Sequence, residues 1–331
     1  MKNTSIIDST NTHVSLRSYE ENVRKYVSAG TSDNTRKTYR SAIRQFEKWG
    51  GRLPCESDVL IRYALDKIEH INPRTLDLHI TALSQWHKQQ GMSDPTQNVT
   101  LKKTLEGIRR VHVQPIAKAK PLQLNDVIRL LNYLETLSNS LKKHRDTALI
   151  LTAFMGAFRR SELVNITVAD LQWEDDGLII NMPTSKTDQE GKGSTRALPY
   201  SPTTACAASA IRQWIDTAGI TKGPLFRAIN RWDQMSDNIL YAGAVNTILK
   251  NRAAEAGLPN ASAFSSHSFR RGHATSAARA GVDFRLIKKQ GGWRSDSTVH
   301  RYIEDGNALT DNSSLALMQE IGLKTEPDSG E

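Results

Sequence analysis

Apolar side chains recur every three to four residues through most of this chain, and that spacing predicts helix after helix. Residues 16–27 read as a short first helix. Ser32, Asp33 and Asn34 then offer N-cap oxygens. Tyr39, Ile43, Phe46 and Trp49 follow on one helical face until Gly50-Gly51 ends the run. Val59, Leu60, Tyr63, Ala64 and Ile68 mark a second apolar face in 57–69. Pro73 suits the first turn of another helix, whose apolar side runs through Leu76, Ile80, Leu83 and Trp86-His87 to Gly91. A shorter helix, 98–111, carries Lys102, Lys103, Arg109 and Arg110. Residues 15–112 therefore predict an all-helical N-terminal domain. The tail before it, 1–14, is rich in Ser, Thr and Asn and is expected to be disordered.

The period breaks at 113–121, where prolines, alanines and lysines alternate without pattern, as in an interdomain linker. A second domain, 122–323, follows. It predicts a helix to Leu137, a mostly apolar helix over 145–158 suited to a domain centre, and strands within 171–182 turning at Asp175-Asp176-Gly177. A polar loop over 184–194 leads to a partner strand at 195–199. Helices are expected at 205–218, 243–255, 268–280, 283–290 and 296–303. Asp311, Asn312 and Ser313 can cap a last helix bearing Leu315, Leu317, Met318 and Ile321, before an acidic tail at 324–331. The fold class expected is mainly α, with one small antiparallel sheet in the second domain.

Length and charge narrow the function. A chain of 331 residues accommodates two domains. Its formal net charge of +9 favours a polyanionic partner, nucleic acid or an acidic membrane surface. Arg36, Arg40, Arg44 and Lys48 repeat every four residues, away from the apolar stripe of their helix. No acid alternates with them, so they are candidate contacts to a DNA backbone; the alternative is a solvated helix face. The longest apolar run, 148–158, is too short to span a bilayer, and the N-terminus lacks an apolar signal core. The two cysteines, Cys55 and Cys206, match no metal or redox spacing and fit a reducing, cytoplasmic setting.

The chemistry concentrates near the C-terminus. Ser266-His267-Ser268-Phe269-Arg270-Arg271-Gly272-His273 is followed by Gln290-Gly291-Gly292-Trp293, then by His300-Arg301-Tyr302-Ile303-Glu304. Upstream stands Gly156-Ala157-Phe158-Arg159-Arg160-Ser161-Glu162-Leu163. This order resembles the tyrosine recombinases, or phage integrase family. The resemblance implies a SAM-like helical core-binding domain and a catalytic domain of the DNA breaking-rejoining fold, closing around duplex DNA. It implies a homotetramer on an inverted-repeat site, assembled through the C-terminal helix, and strand exchange through a Holliday junction, with no cofactor and no metal. The length suits simple-site enzymes of the Cre or Xer style rather than integrases with a separate arm-binding domain. Integration, excision or resolution of a mobile element or replicon are the roles such enzymes perform.

Each residue has a chemical reason to be there. Cutting a phosphodiester through a covalent intermediate needs a nucleophile, cations on the non-bridging oxygens and a proton donor for the leaving alkoxide. Tyr302 is the candidate nucleophile; a phenol with a pKa near 10 needs a base or a positive field to activate it. Arg159 and Arg270 are the candidate guanidinium clamps, with Arg160 and Arg271 as adjacent rivals. Glu162, three residues on, can orient an arginine or a histidine. His267 is the candidate proton shuttle. Lys186 resembles the hairpin lysine that serves the family as general acid, with Lys192 as competitor. Trp293 stands where many members have histidine and the Cre branch has tryptophan; its indole can donate a hydrogen bond but cannot shuttle protons. His273 and His300 match no common metal spacing. A type IB topoisomerase-like nicking-closing enzyme and a non-catalytic DNA-binding regulator are the competing functions.

Overall fold

A computed structural model describes residues 16–113, 115, 119–182, 193–307 and 312–320. The chain divides into two compact units between residues 117 and 118.

The first unit is helical: α1 (Leu16–Ala29), α2 (Asp33–Trp49), α3 (Ser57–Lys67), α4 (Pro73–Gln89) and α5 (Val99–Val111). The Ser32 hydroxyl accepts from the Thr35 N–H at 3.2 Å and starts α2; Gly50, at φ +109°, stops it in a conformation that favours glycine. Asn72 and Asn98 cap α4 and α5 in the same way. Phe46, Leu60, Tyr63, Leu76, Leu83 and Leu101 are fully buried together. Each such side chain stabilises the fold by about 1.5–3 kcal/mol. Inside this core the Tyr63 hydroxyl and His79 Nδ1 share a 2.7 Å hydrogen bond. The basic stripe of α2 is split. Arg40, Arg44 and Lys48 are exposed and carry no ion pair among the described residues. Arg36 is partly buried: its guanidinium turns back to the Thr31 carbonyl and Asp33.

The second unit is built around α7 (Leu141–Met155), which starts a turn earlier than its apolar run because Ser140 caps it. Ala148 to Phe154 is buried on every side of that helix. α6 (Leu124–Thr136), α9 (Ala207–Ala218), α10 (Ala244–Glu255) and α11 (Ser266–Arg279) surround it, and Trp214 of α9 is fully buried. The strands β1 (Leu171–Glu174), β2 (Gly177–Met182) and β3 (Ser194–Pro199) form an antiparallel sheet in that order, turning at Asp175-Asp176 as expected.

A second sheet was not anticipated by pattern: β4 (Arg227–Ile229) pairs antiparallel with β5 (Met235–Ile239). Its strands are too short and polar to alternate; the turn is held instead by Asn230, whose side-chain oxygen accepts from the Trp232 and Gln234 N–H groups. A short helix, α8 (Arg160–Asn165), also lay below the length that periodicity detects.

Three helices close the unit: α12 (Phe284–Gly291), α13 (Asp296–Asn307) and α14 (Ser313–Glu320). The last residues of the aperiodic stretch lie on α11. The Leu122 N–H donates to the Ser268 carbonyl at 3.0 Å, and the Ala119 carbonyl accepts from Arg271 at 2.8 Å. Gly272 is where the two backbones meet. A Cβ there would stand 1.8 Å from the Leu122 carbonyl oxygen.

Candidate active site

The site is built from four local devices in the second unit. The first is the end of α7. After Met155 the chain passes through Ala157 in a left-handed turn (φ 46°), and Phe158 packs into the core. Arg159 then caps α8. Its backbone N–H donates to Glu162 Oε2 at 2.9 Å while its guanidinium pairs with the other carboxylate oxygen. The Glu162 carboxylate is only 7% exposed, so this is a buried clamp on the arginine and not a surface ion pair. Arg160, the neighbouring alternative, faces solvent.

The second device is the first turns of α11. Ser265 and Ser268 form a capping box that begins the helix. His267 and Arg270 lie one turn apart and so share a face. Arg270 is 3% exposed and donates from Nη1 to the carbonyls of Ala157 and Gly291, the latter at 3.0 Å. Burial and the nearby Arg159 lower its pKa to about 10. At neutral pH it remains charged, and its bonds fix the fork in place. Arg271 points elsewhere: it pairs with Asp305 of α13 at 3.1 Å and binds the Ala119 carbonyl, so it struts the fold. His267 is exposed. Desolvation by the surrounding protein, and then the charges of Arg270, Arg160 and Arg159, hold its pKa below the usual histidine range.

The third device is the turn after α12. Gly292 adopts φ +58°, a left-handed C-cap that redirects the chain. Gly291 leaves room for the indole of Trp293, since a Cβ there would stand 1.9 Å from the ring. Trp293 is buried with Ala157, Ala274, Ile287 and Val299. The Arg270 Cζ lies 4.5 Å from its ring centre. The fourth device is α13, which carries Tyr302. Its ring meets Trp293 edge to face, with centroids 6.1 Å apart, and the Arg271 Cζ lies 5.7 Å away. The helix is fastened to α11 by the Thr275 hydroxyl, which donates to the Tyr302 carbonyl at 3.0 Å. Gly306 allows the close approach: a Cβ there would stand 2.1 Å from the Thr275 side chain.

The structure thus brings Arg159, Glu162, His267, Arg270, Trp293 and Tyr302 to one region of one unit. Lys186 and its competitor Lys192 lie outside the described residues. His273 is half-buried: desolvation pushes its pKa down to about 4, opposed by a hydrogen bond to the Phe154 backbone. His300 stacks on Phe284 at 4.3 Å. Among the described residues, no three His, Cys, Asp or Glu side chains are grouped to hold a metal ion. Among the same residues, no helix is long and apolar enough to cross a membrane.

Pattern alone did not single out Arg196. It occupies an inward-facing position of β3, where alternation calls for an apolar side chain, and it is 3% exposed. An arginine at a core position of a strand was the available signal.

Comparison with known proteins gives the arrangement a family. The phage integrase family model matches residues 120–308. The integrase/recombinase xerD homolog of Selenomonas ruminantium is 35% identical over 291 residues, covering 85% of this chain and 84% of that protein. Recombinase cre of Escherichia phage P1 is 25% identical over 308 residues, covering 84% and 86%. Two solved structures share the fold. One is the XerH site-specific recombinase in a post-cleavage complex with a palindromic difH substrate, with TM-score 0.62 at 17% identity, covering 87% of this chain and 80% of that one. The other is a lambda integrase dimer bound to a COC' core site, with TM-score 0.57 at 16% identity, covering 90% and 98%. The chain belongs to the phage integrase family, the tyrosine recombinases.

Proposed function

We infer that this protein is a site-specific recombinase that cuts and rejoins duplex DNA through a 3′-phosphotyrosyl link at Tyr302. The observation that carries this is the run of contacts Arg270–Trp293–Tyr302, at 4.5 and 6.1 Å, beside the Arg159–Glu162 clamp. A buried, always-charged fork next to a half-buried phenol is what in-line attack on a phosphodiester needs.

In this account the Tyr302 oxygen attacks the phosphorus and its proton passes to His267. That imidazole is neutral at pH 7, since its pKa is held low, and is therefore ready to act as a base. Arg159 and Arg270 take the charge that grows on the two non-bridging oxygens. Preorganised donors of this kind contribute roughly 10²–10³ each in rate. The bond to the 5′-oxygen breaks, and a lysine of the 183–192 segment, Lys186 or Lys192, protonates that leaving group. Trp293 holds Arg270 by its ring face and offers an indole N–H to a phosphate oxygen. The phosphotyrosyl ester conserves the energy of the phosphodiester, so a 5′-hydroxyl of the partner strand reseals the break without ATP.

The remaining assignments follow from the same reading. Residues 15–112 form the core-DNA-binding domain and 122–323 the catalytic domain. Arg40, Arg44 and Lys48 contact the DNA backbone, and Arg36 steadies the start of their helix. Two inverted repeats bind four protomers, joined through α14, whose Leu315, Leu317 and Met318 are exposed at 43%, 62% and 64%. Strands exchange through a four-way junction, in integration, excision or resolution of a mobile element or replicon.

The test is covalent capture. The protein is mixed with fragmented DNA from its source and denatured, and the attached DNA is sequenced. Fragments sharing an inverted repeat, absent with Tyr302→Phe, are the expected result. Adducts scattered without a common sequence would point to a topoisomerase-like enzyme. Salt-sensitive binding without any adduct would point to a non-catalytic regulator.

A further inference from the structure

Arg196 has no place in the chemistry described so far, yet it is a costly residue to bury. Its side chain faces inward from β3, opposite Ile180, and is 3% exposed. Of the five N–H donors of its guanidinium, one is satisfied among the described residues: Nη1 donates to the Thr195 carbonyl at 3.0 Å. Its Nε is buried with no hydrogen-bond partner. It forms no salt bridge among the described residues. The carboxylate whose field reaches it, Glu162, is already held by Arg159. A buried charge without a counterion normally destabilises a fold, so a retained one calls for an anion to arrive.

Its surroundings say where. The Arg196 Cζ lies 5.9 Å from the ring centre of Phe158, the residue before Arg159. Its Nη2 packs on Gly292, the residue before Trp293, so closely that a Cβ there would stand 2.2 Å away. Gln290 locks this arrangement: its amide nitrogen donates to the carbonyl of Ala197, the next residue of β3, at 2.9 Å, and to that of Met155 at 3.0 Å. Arg196 is therefore wedged between the two backbone segments that present Arg159 and Trp293. The guanidiniums of Arg159, Arg196 and Arg270 all feel the single carboxylate of Glu162.

We propose that Arg196 is a positioning residue of the cleavage reaction: wedged between the segments bearing Arg159 and Trp293, its unpaired charge strengthens the positive field on the scissile phosphate. The proposal rests on the assignment of Tyr302 as nucleophile. It is electrostatic and acts through space, since Arg196 is too buried to clamp the phosphate as Arg270 does.

The experiment uses the full-length protein and a duplex carrying the site recovered by covalent capture. The duplex is made twice, once with the natural scissile phosphodiester and once with a methylphosphonate, which replaces a charged non-bridging oxygen by a neutral methyl group. Arg196→Met and Arg196→Lys are compared with the unaltered chain for rate of covalent adduct formation and for thermal stability. Arg196→Met is expected to slow attack on the phosphodiester by roughly 10–100-fold, and attack on the methylphosphonate by several-fold less. Its melting temperature is expected to be unchanged or raised, since an apolar side chain of similar volume relieves the uncompensated charge. Arg196→Lys keeps the charge and is expected to stay within about tenfold of the unaltered chain on the phosphodiester. Equal losses by Arg196→Met on the two substrates, or no loss on the phosphodiester, would overturn the proposal. So would a Met variant that does not fold together with a Lys variant as impaired on one substrate as on the other. If the unaltered chain forms no adduct at all, the assignment of Tyr302 fails, and this proposal with it.

Discussion

The guanidinium carbon of Arg270 sits 4.5 Å from the centre of the Trp293 ring, and the edge of that ring faces Tyr302. One tryptophan therefore supports both the charge that would clamp a phosphate and the phenol that would attack it. Removing the indole should cost stability and chemistry through different atoms. Trp293→Ala is expected to lose about 3–5 kcal/mol of unfolding free energy, because it empties a buried site beside Ala157, Ala274 and Val299. Trp293→Phe keeps most of the packing and is expected to fold. Its cleavage rate should still fall by roughly tenfold, through a weaker cation–π contact and loss of the N–H donor. Urea denaturation and adduct kinetics on both variants separate the two effects.

In the proposed reaction the clamp and the nucleophile come from one chain. Arg159, Arg270, Trp293 and Tyr302 are assembled within one unit, α13 being fastened to α11 through Thr275. A mixture of Arg270→Ala and Tyr302→Phe proteins should therefore show no restored cleavage on a full site, since neither kind of subunit holds both groups. Restoration by mixing would mean that the tyrosine is delivered to a neighbouring subunit.

Acid should act on the site and on the fold through two different histidines. In the proposed reaction His267 accepts a proton and must be neutral to do so, and its pKa lies below the ordinary value of 6.5. The acid limb of the adduct-formation profile is expected below that pH, and replacement of Arg160 by Gln should shift it upward. His273 is held neutral by burial, with a pKa pushed down to about 4. Above pH 6.5 it is neutral whether the chain is folded or not, and no stability depends on it. As pH falls through 6.5 the unfolded chain binds a proton that the folded chain refuses. Stability therefore declines until the pH is below about 4, by on the order of 3 kcal/mol. His273→Gln should flatten that part of the stability profile in urea melts at several pH values.

Gly272 is the point where α11 crosses the segment leading into α6. A methyl group would meet the Leu122 carbonyl at 1.8 Å. Neither partner is a movable side-chain end, so Gly272→Ala is expected to destabilise the second unit by roughly 1–3 kcal/mol or more. Gly107 on α5 has open space around it, and Gly107→Ala is expected to stabilise slightly through helix propensity. Thermal melts of the two variants should move in opposite directions.

Much of the site could be read from local spacing. His267 and Arg270 share a face because they are three apart on one helix, and Gly291-Gly292 marks a turn whatever surrounds it. The core of the first unit was equally legible, since Leu60, Tyr63 and Ala64 are set by a simple period. What could not be read depends on contacts between distant segments. The family pattern around Ser161-Glu162-Leu163 selects Arg159 and the spacing from His267 selects Arg270, but that Arg271 is tied to Asp305 and the Ala119 carbonyl, and that the Glu162 carboxylate holding Arg159 is buried, is not visible in the spacing. Arg196 acquires meaning only when β3 is laid against Phe158 and Gly292. The β4–β5 hairpin is specified by the side chain of Asn230, not by alternation.

The most direct test of the central claim is to find the atom that joins protein to DNA. Adduct trapped on a duplex carrying the captured site is digested with nuclease and trypsin, and the peptides are sequenced by mass spectrometry. The expected product is a residual nucleotide linked through its 3′-phosphate to Tyr302. A nucleotide on any other side chain, or a 5′-phosphate linkage, would contradict it.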